Sequence, residues 1–162
     1  MSTQYNTIQA PYDYIRKKSI ALIEHENIRT TLAPHIPNAR VLELACGSGF
    51  YTYDFLNWGA ASVLAVDISP VMIEHARASG SSPVGTTPAS VLTGNNNNKK
   101  VDFLLADCTK PERYPGAPFD VVFGAWLLNY APDRRGLLDM FRNIEMNLKE
   151  GGQVCEYYYA AG

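Results

Sequence analysis

The stretch Val41–Thr52 constrains the fold of this chain more than any other, because it joins an apolar run to a glycine-rich turn. The apolar run predicts a buried strand, and the residues after the turn have helical spacing. Gly47 and Gly49 carry no Cβ, so the backbone of the turn can approach a ligand closely. A strand that turns directly into a helix places the helix N-terminus against a ligand. The stretch therefore predicts a ligand-binding strand–turn–helix unit.

Short apolar strands and helices alternate along most of the chain. The predicted strands are Asn38–Cys46, Ser62–Asp67, Val101–Asp107, Phe119–Trp126 and Gln153–Tyr159. Helices are predicted from Phe50 to Gly59, from Ser69 to Gly80, and after Asp133, where an apolar stripe consists of Leu137, Phe141, Ile144 and Leu148. Gly151 and Gly152 are expected to end that last helix. This alternation predicts an α/β fold with a parallel sheet and right-handed crossovers.

Two segments fall outside this alternation. Residues 1–37 are predicted to form an N-terminal helical cap, and residues 38–162 a ligand-binding domain. Within that domain, residues 79–100 are rich in Ser, Gly, Pro and Asn, which is the composition of a flexible, solvated insertion.

Composition narrows the class of partner. The net charge of −2 over 162 residues argues against a nucleic acid or an anionic membrane held by bulk electrostatics. No apolar run approaches the roughly 20 residues needed to span a bilayer, and the polar N-terminus does not resemble a signal peptide. Cys46, Cys108 and Cys155 have no metal-ligand spacing, and unpaired thiols fit a reducing cytosol. These features predict a cytoplasmic protein with no metal, nucleic-acid or membrane partner.

Acidic residues end two of the predicted strands. Asp67 follows the glycine turn by about twenty residues, the spacing at which an acid accepts the hydroxyls of a ribose. An adenosine-containing ligand is therefore expected at the carboxyl ends of the strands. Two simpler interpretations stay open, in which Asp67 caps the helix that begins near Ser69 and Asp107 is an acid of a turn.

The residues around the turn distinguish between two adenosine-containing ligands. A nicotinamide dinucleotide favours a third glycine where this chain has Thr52, and its pyrophosphate gains nothing from the nearby carboxylate of Glu43. That carboxylate instead favours a ligand with ammonium or sulfonium groups. The charges indicate S-adenosylmethionine.

Five segments of the chain then resemble the motifs of the class I S-adenosylmethionine-dependent methyltransferases. Glu43–Gly49 resembles the first motif, with Ala45 in place of its first glycine. The segments similar to the second, third and fourth motifs and to the turn before strand five are Ala65–Met72, Leu105–Cys108, Phe119–Tyr130 and Leu148–Gly152. The matches occur in the family's order.

The resemblance implies a three-layer α/β/α Rossmann-like sandwich with strand order 3-2-1-4-5. It also implies that Asp67 binds the ribose, that Asp107 accepts the adenine amino group, and that Glu43 faces the amino-acid part of the cofactor. The further implied cofactor contacts are Ala45, Cys46, Gly47, Gly49, Ile68, Met72, Cys108 and Ala125. Tyr5–Asp13 resembles the tyrosine-bearing segment of the family's small-molecule branch, in which Tyr5 or Tyr12 would cap the methionine end.

The implied activity is methyl transfer to a small-molecule acceptor, with a non-catalytic cofactor-binding protein as the alternative. No general base is identified, because relatives carry a histidine where this chain has Asn129, which cannot titrate. His25, His35 and His75 are expected to be solvated.

The chain also lacks the C-terminal strand pair usual in the family. Strand five is therefore expected to present an exposed apolar edge, which invites pairing with a second copy. Three explanations stay open: a truncated product, a homo-oligomer through this edge, and a relative that only binds the cofactor.

Overall fold

The computed structural model of the chain describes residues 19–79 and 100–157. The elements in this part of the chain are α1 (Ser19–Leu32), β1 (Arg40–Leu44), α2 (Thr52–Asn57), β2 (Ser62–Asp67), α3 (Pro70–Ser79), β3 (Lys100–Leu105), β4 (Phe119–Ala125), a 3-10 turn (Leu127–Tyr130), α4 (Arg134–Asn147) and β5 (Leu148–Tyr157). Tyr5, Tyr12 and nearly all of the predicted insertion lie outside the described residues.

The five strands form one sheet in the order β3–β2–β1–β4–β5, and every neighbouring pair is parallel. The predicted Rossmann-like fold and strand order are confirmed. Parallel strands bring all their carboxyl ends to one end of the sheet, and the strand order reverses beside β1. The glycine turn after β1 therefore lies at the point where such sheets bind ligands.

Helices cover both faces of the sheet. On one face, Ile28 of α1 and Phe55 of α2 pack against Val41 and Val121, and Ile73 of α3 lies on the same side. On the other face, Met140 and Ile144 of α4 pack against Leu42 and Val122. Strand residues alternate between these two cores, so the molecule has the predicted three layers.

Local interactions fix the ends of the helices. Gly59 adopts a φ of +107° just after α2 and ends it. Ser69 Oγ accepts the Met72 amide at 3.3 Å, which makes Ser69 the N-cap of α3. Asp133 accepts the Gly136 amide at 2.8 Å and caps α4 in the same way.

The predicted inner face of α4 is wrong at one position. Phe141 is 49% exposed, whereas Met140, Asn143, Ile144 and Asn147 are buried. The face of α4 that meets the sheet includes two asparagines, so the apolar stripe alone misplaces its centre. Their side chains bond the loop between β3 and β4, which compensates their burial.

The boundary between α4 and β5 also differs from the prediction. The helix ends at Asn147, and β5 runs from Leu148 through both glycines to Tyr157. Gly152 fits tightly there, because a Cβ would lie 2.9 Å from the carbonyl oxygen of Asp120. Asp120 itself accepts the Arg40 amide and pairs with Lys149, so its predicted structural role is confirmed.

Candidate functional site

A cavity of about 230 Å³ opens at the carboxyl end of the sheet. The residues that line it and were predicted to contact a cofactor are Ala45, Gly47, Asp67, Ile68, Met72, Asp107, Cys108 and Ala125. The other lining residues are Thr109, Trp126, Leu127, Tyr130 and Met140. The fold therefore brings most of the predicted contacts into one cleft.

The turn after β1 is built from residues with left-handed backbone conformations. Ala45, Gly47 and Gly49 have φ values of 56°, 54° and 79°. Ala45 has a Cβ, so it adopts a conformation that L-residues rarely use, at the position where the resembling motif has its first glycine. The turn is held to β2 by a bond of 2.9 Å from the Cys46 amide to the Val66 carbonyl.

Asp67 connects this turn to the start of α3. Its Oδ2 accepts the Gly47 amide and its Oδ1 accepts the Ser69 amide, both at 2.8 Å. Burial raises the pKa of the Asp67 carboxyl, and the amides of Ser69, Gly47 and Ile68 oppose that rise. The side chain is 8% exposed and lies at the cavity wall. Asp67 therefore fixes the loop geometry of the site and also presents a carboxyl to it.

Asp107 lies after β3 with a more solvated carboxyl. Its Oδ1 accepts the Thr109 hydroxyl at 2.6 Å and the Thr109 amide at 3.0 Å, and its Oδ2 lies 3.2 Å from Lys110 Nζ. Burial raises the pKa of this carboxyl, but the bonds from Thr109 and Lys110 outweigh it and hold the pKa below its ordinary value. Asp107 is therefore both an acid of a turn and a residue of the cavity wall.

The two cysteines of the site are shielded from solvent. Cys46 and Cys108 are 4% and 6% exposed. Burial raises the pKa of Cys46 well above its ordinary value and that of Cys108 to about 12. Both side chains are therefore neutral thiols at pH 7. Cys46 packs with Ala65 and Ile73 and does not line the cavity.

Glu43 and Gly49 also lie outside the cavity lining. Glu43 is 2% exposed, and its Oε2 accepts the Thr52 hydroxyl at 2.5 Å. A Cβ at Gly49 would lie 2.9 Å from Ala76 Cβ, so α3 packs directly against this glycine and leaves no room for a side chain. The described contacts of these two residues are with the protein, and their contact with a cofactor stays a prediction.

Residues 41–152 match the family model of a methyltransferase domain. The chain belongs to this family. The mRNA cap guanine-N(7) methyltransferase of Caenorhabditis elegans is 32% identical over 125 residues, which are 72% of this chain and 30% of that protein. The tRNA U34 carboxymethyltransferase of Shewanella piezotolerans is 29% identical over 126 residues, 76% of this chain and 33% of that protein.

A solved structure described as the DhpI-SAM-HEP complex is similar at a TM-score of 0.67 and 26% identity. The similarity covers 93% of this chain and 60% of that one. The chain spans about a third of the length of the two curated methyltransferase relatives, 30% of one and 33% of the other.

Part of the cavity lining was not predicted from the sequence. Trp126 lies in the segment that resembles the fourth motif, and its position after a strand could have indicated it. Tyr130 lies in the same segment, and its sequence position fits core packing and substrate contact equally; the structure places it at the cavity wall, 48% exposed. Trp126 has a φ of 70°, and its amide donates to the Tyr157 carbonyl at 2.7 Å, so the chain turns sharply where β4 ends. Met140 comes from α4, and no local pattern distinguishes it from an ordinary core residue.

Helix α1 contacts this site through polar bonds. Glu24 Oε1 accepts the Tyr51 hydroxyl at 2.9 Å and the indole N–H of Trp126 at 3.4 Å. His25, which was expected to be solvated, instead bonds Asp54 at 2.8 Å and stacks on Tyr51. The prediction for His25 is wrong because its face of α1 packs on α2, whereas His35 and His75 are exposed.

Two classes of feature are absent from residues 19–79 and 100–157. No group of three or more His, Cys, Asp or Glu side chains there could hold a metal ion. No helix in those ranges has the length and apolar content needed to cross a membrane.

Proposed function

We propose that this chain binds S-adenosylmethionine in the cavity and transfers its methyl group to a small molecule. The observation that carries the proposal is the position of Asp67, at the end of β2 and at the cavity wall, bonded to the glycine turn. An ionised carboxylate offers about four acceptor positions, so Asp67 can accept a ribose hydroxyl in addition to its backbone amides. The solved structure with a TM-score of 0.67 is described as a SAM complex, which supports the same cofactor.

The residues of the cavity fit the parts of this cofactor. Ile68 and Met72 offer apolar contact for the adenine, and Asp107 offers a carboxylate for its amino group. The turn from Ala45 to Gly47 offers backbone groups for the amino-acid part. Bound there, the cofactor supplies an electrophilic methyl group on a sulfonium. The contribution of the protein is to orient the cofactor and the acceptor and to exclude water.

Glu43 has an indirect place in this proposal. Glu43 is buried beneath the turn and bonded to Thr52. We therefore propose that its carboxylate acts on the ligand from behind the turn. A carboxylate there attracts the ammonium and sulfonium groups without touching them. Tyr5 or Tyr12 is proposed to cap the methionine end.

The binding step is tested by calorimetric titration of the chain with S-adenosylmethionine, with S-adenosylhomocysteine and with NAD. We expect saturable binding of the first two and none of NAD. Binding of NAD, or no binding of either S-adenosyl ligand by the folded chain, would overturn the proposal.

The small-molecule acceptor is the finer part of the proposal. The named activities of the two curated relatives concern mRNA and tRNA. The net charge of −2 favours a small acceptor over RNA, because RNA binding needs a positively charged surface. Incubation with methyl-labelled cofactor and either a metabolite extract or total RNA separates the two. We expect label in the metabolite fraction, and label in RNA alone would contradict this.

A specific observation supports a non-catalytic cofactor-binding protein as the second candidate. Asn129 is exposed and does not line the cavity, and no histidine lines it. The labelled-extract experiment decides here too. A folded chain that binds the cofactor and labels neither fraction would be assigned the binding role.

We further propose a cytoplasmic location and a homo-oligomer through β5. The location is supported by Cys46, Cys108 and Cys155, all of which are free thiols. The oligomer is supported by β5 itself, which pairs with β4 on one side and has no partner strand on the other among the described residues. Val154 on this strand is 47% exposed. Light scattering should show a dimer in the wild type and a monomer in Val154→Lys, and a monomeric wild type would refute the interface.

A further inference from the structure

The connection between β3 and β4 supplies Asp107, Cys108 and Thr109 to the cavity wall without a helix of its own. It rests instead on two asparagines of α4, Asn143 and Asn147, both 0% exposed. A fully buried amide side chain is costly unless it is bonded, so the partners of these two side chains indicate what they hold in place.

Asn143 bonds the part of the connection that lines the cavity. Its Nδ2 donates to the Cys108 carbonyl and to the Tyr114 hydroxyl, both at 3.0 Å. Its Oδ1 accepts the Glu112 amide at 3.4 Å. One side chain thus joins both ends of the segment 108–114.

The bond to Cys108 acts on a peptide group that also bonds Asp107. The Cys108 carbonyl and the Thr109 amide belong to the same planar group. Asn143 donates to the carbonyl oxygen of this peptide group, and the Thr109 N–H of the same group donates to Asp107 Oδ1 at 3.0 Å. Bonds at both ends of a rigid plane fix its orientation. This plane therefore contributes, together with the Thr109 hydroxyl and Lys110 Nζ, to where the Asp107 carboxyl points.

We propose that Asn143 is a positioning residue for the adenine side of the cavity, acting through the Cys108–Thr109 peptide on Asp107. This inference rests on the proposed function, in which Asp107 accepts the adenine amino group. Asn143 has no place in the cavity lining, so it contributes no contact to the ligand. Its effect on binding is transmitted by the loop.

Asn147 provides a matched control on the same helix. It has the same burial and the same chemistry. Its Nδ2 donates to Asn143 Oδ1 at 3.1 Å and to the Asn143 carbonyl at 2.8 Å, and neither bond involves Asn143 Nδ2, the group that bonds Cys108. Asn147 bonds the same loop as Asn143, but at Glu112 and Tyr114. Those residues lie beyond the part that lines the cavity. Truncating either asparagine should destabilise the protein to a similar extent, because each leaves backbone groups of the loop without their partner.

The experiment compares Asn143→Ala with Asn147→Ala by calorimetric titration with S-adenosylhomocysteine and with S-inosylhomocysteine, which lacks the adenine amino group. Asn143→Ala should raise the Kd for S-adenosylhomocysteine about fivefold, and Asn147→Ala should change it less than about twofold. In the wild type, the Kd for S-inosylhomocysteine should exceed that for S-adenosylhomocysteine about fivefold, the value of one hydrogen bond. This ratio should fall towards one in Asn143→Ala and stay unchanged in Asn147→Ala. Equal losses in both variants, or an unchanged preference in Asn143→Ala, would overturn the proposal.

A second pair keeps the proposal testable if the alanine variants do not fold. Asn143→Ser and Asn147→Ser leave smaller cavities and should show the same contrast. In the wild type without ligand, the Thr109 amide should be protected from hydrogen exchange, and an unprotected amide would overturn the proposal. If the wild type binds neither ligand, the proposed function fails, whereas normal wild-type binding with two equivalent variants refutes the role of Asn143 alone.

Discussion

Replacing Gly49 with alanine should lower the free energy of unfolding by about 3 kcal/mol, because of both backbone conformation and packing. The φ of +79° costs an L-residue about 1–2 kcal/mol. The new Cβ would lie 2.9 Å from Ala76 Cβ and 3.1 Å from its Cα, so α3 must move. Such overpacking costs about 1–3 kcal/mol. The lower entropy of an unfolded alanine returns about 0.4–1 kcal/mol.

Gly151→Ala is the matched control for the backbone contribution. Gly151 has a φ of +72°, and a Cβ there would meet no atom within 4 Å. Its loss should therefore be about 1 kcal/mol, the left-handed cost less the entropic return. The difference of about 2 kcal/mol between the two variants measures the contact with Ala76.

Urea denaturation followed by circular dichroism gives both free energies, and calorimetry gives the Kd for S-adenosylhomocysteine in the folded state. The contact between Gly49 and α3 predicts a large loss of stability, with a smaller change in Kd than Gly47→Ala causes. Equal destabilisation of the Gly49 and Gly151 variants would refute the packing argument. A Gly49 variant of unchanged stability and much weaker binding would show that its empty side faces the ligand.

Three further changes have outcomes that follow from the site. Ala45→Gly should raise the free energy of unfolding by about 1 kcal/mol because it relieves the φ of 56°, and no gain in urea denaturation would contradict the strain. Asp67→Ala should weaken S-adenosylhomocysteine binding by about 1–3 kcal/mol, and an unchanged Kd would leave Asp67 only its role in the turn. Burial raises the pKa of Glu156 from 4.5 to about 7, so the folded state holds this proton more tightly than the unfolded state. The resulting stability is present below pH 4.5 and is lost as the pH rises through 7. At pH 8, Glu156→Gln should therefore be more stable than the wild type by at most about 3 kcal/mol. Equal free energies of unfolding from denaturation curves at that pH would refute this.

The strands and the cavity could be predicted because their signals are local. A parallel strand covered on both faces is a continuous apolar run, and β2 matches the predicted range Ser62–Asp67. Parallel strands also bring their carboxyl ends together, so residues at those ends, such as Asp67 and Ala125, fall in one cleft once the fold is known.

The rest depends on contacts between distant segments, which periodicity does not record. Asn143 and Asn147 look like solvent-facing residues of an amphipathic helix, but they are buried because their partners in the loop lie far away in the sequence, at separations of 35, 33, 31 and 29 residues. Glu156 is a similar case, because its Oε1 accepts the Leu128 amide at 3.0 Å across the sheet end. A polar residue that holds a loop cannot be distinguished by sequence pattern from one that faces water.

The structure also shows that two of the sequence arguments for the cofactor are not independent of each other. Glu43 and Thr52 were two separate arguments against a dinucleotide, one from charge and one from a missing glycine. They are partners in one buried hydrogen bond of 2.5 Å, with exposures of 2% and 0%. A glycine at position 52 would remove the hydroxyl that donates to Glu43. The presence of Glu43 and the absence of a glycine at position 52 therefore depend on each other and count as one observation. The cavity wall, where Asp67 and Asp107 present carboxyl groups at the ends of two neighbouring strands, supports an adenosine-containing ligand. Independent support for S-adenosylmethionine over a dinucleotide comes from the match of residues 41–152 to a methyltransferase domain and from the similar structure described as a SAM complex.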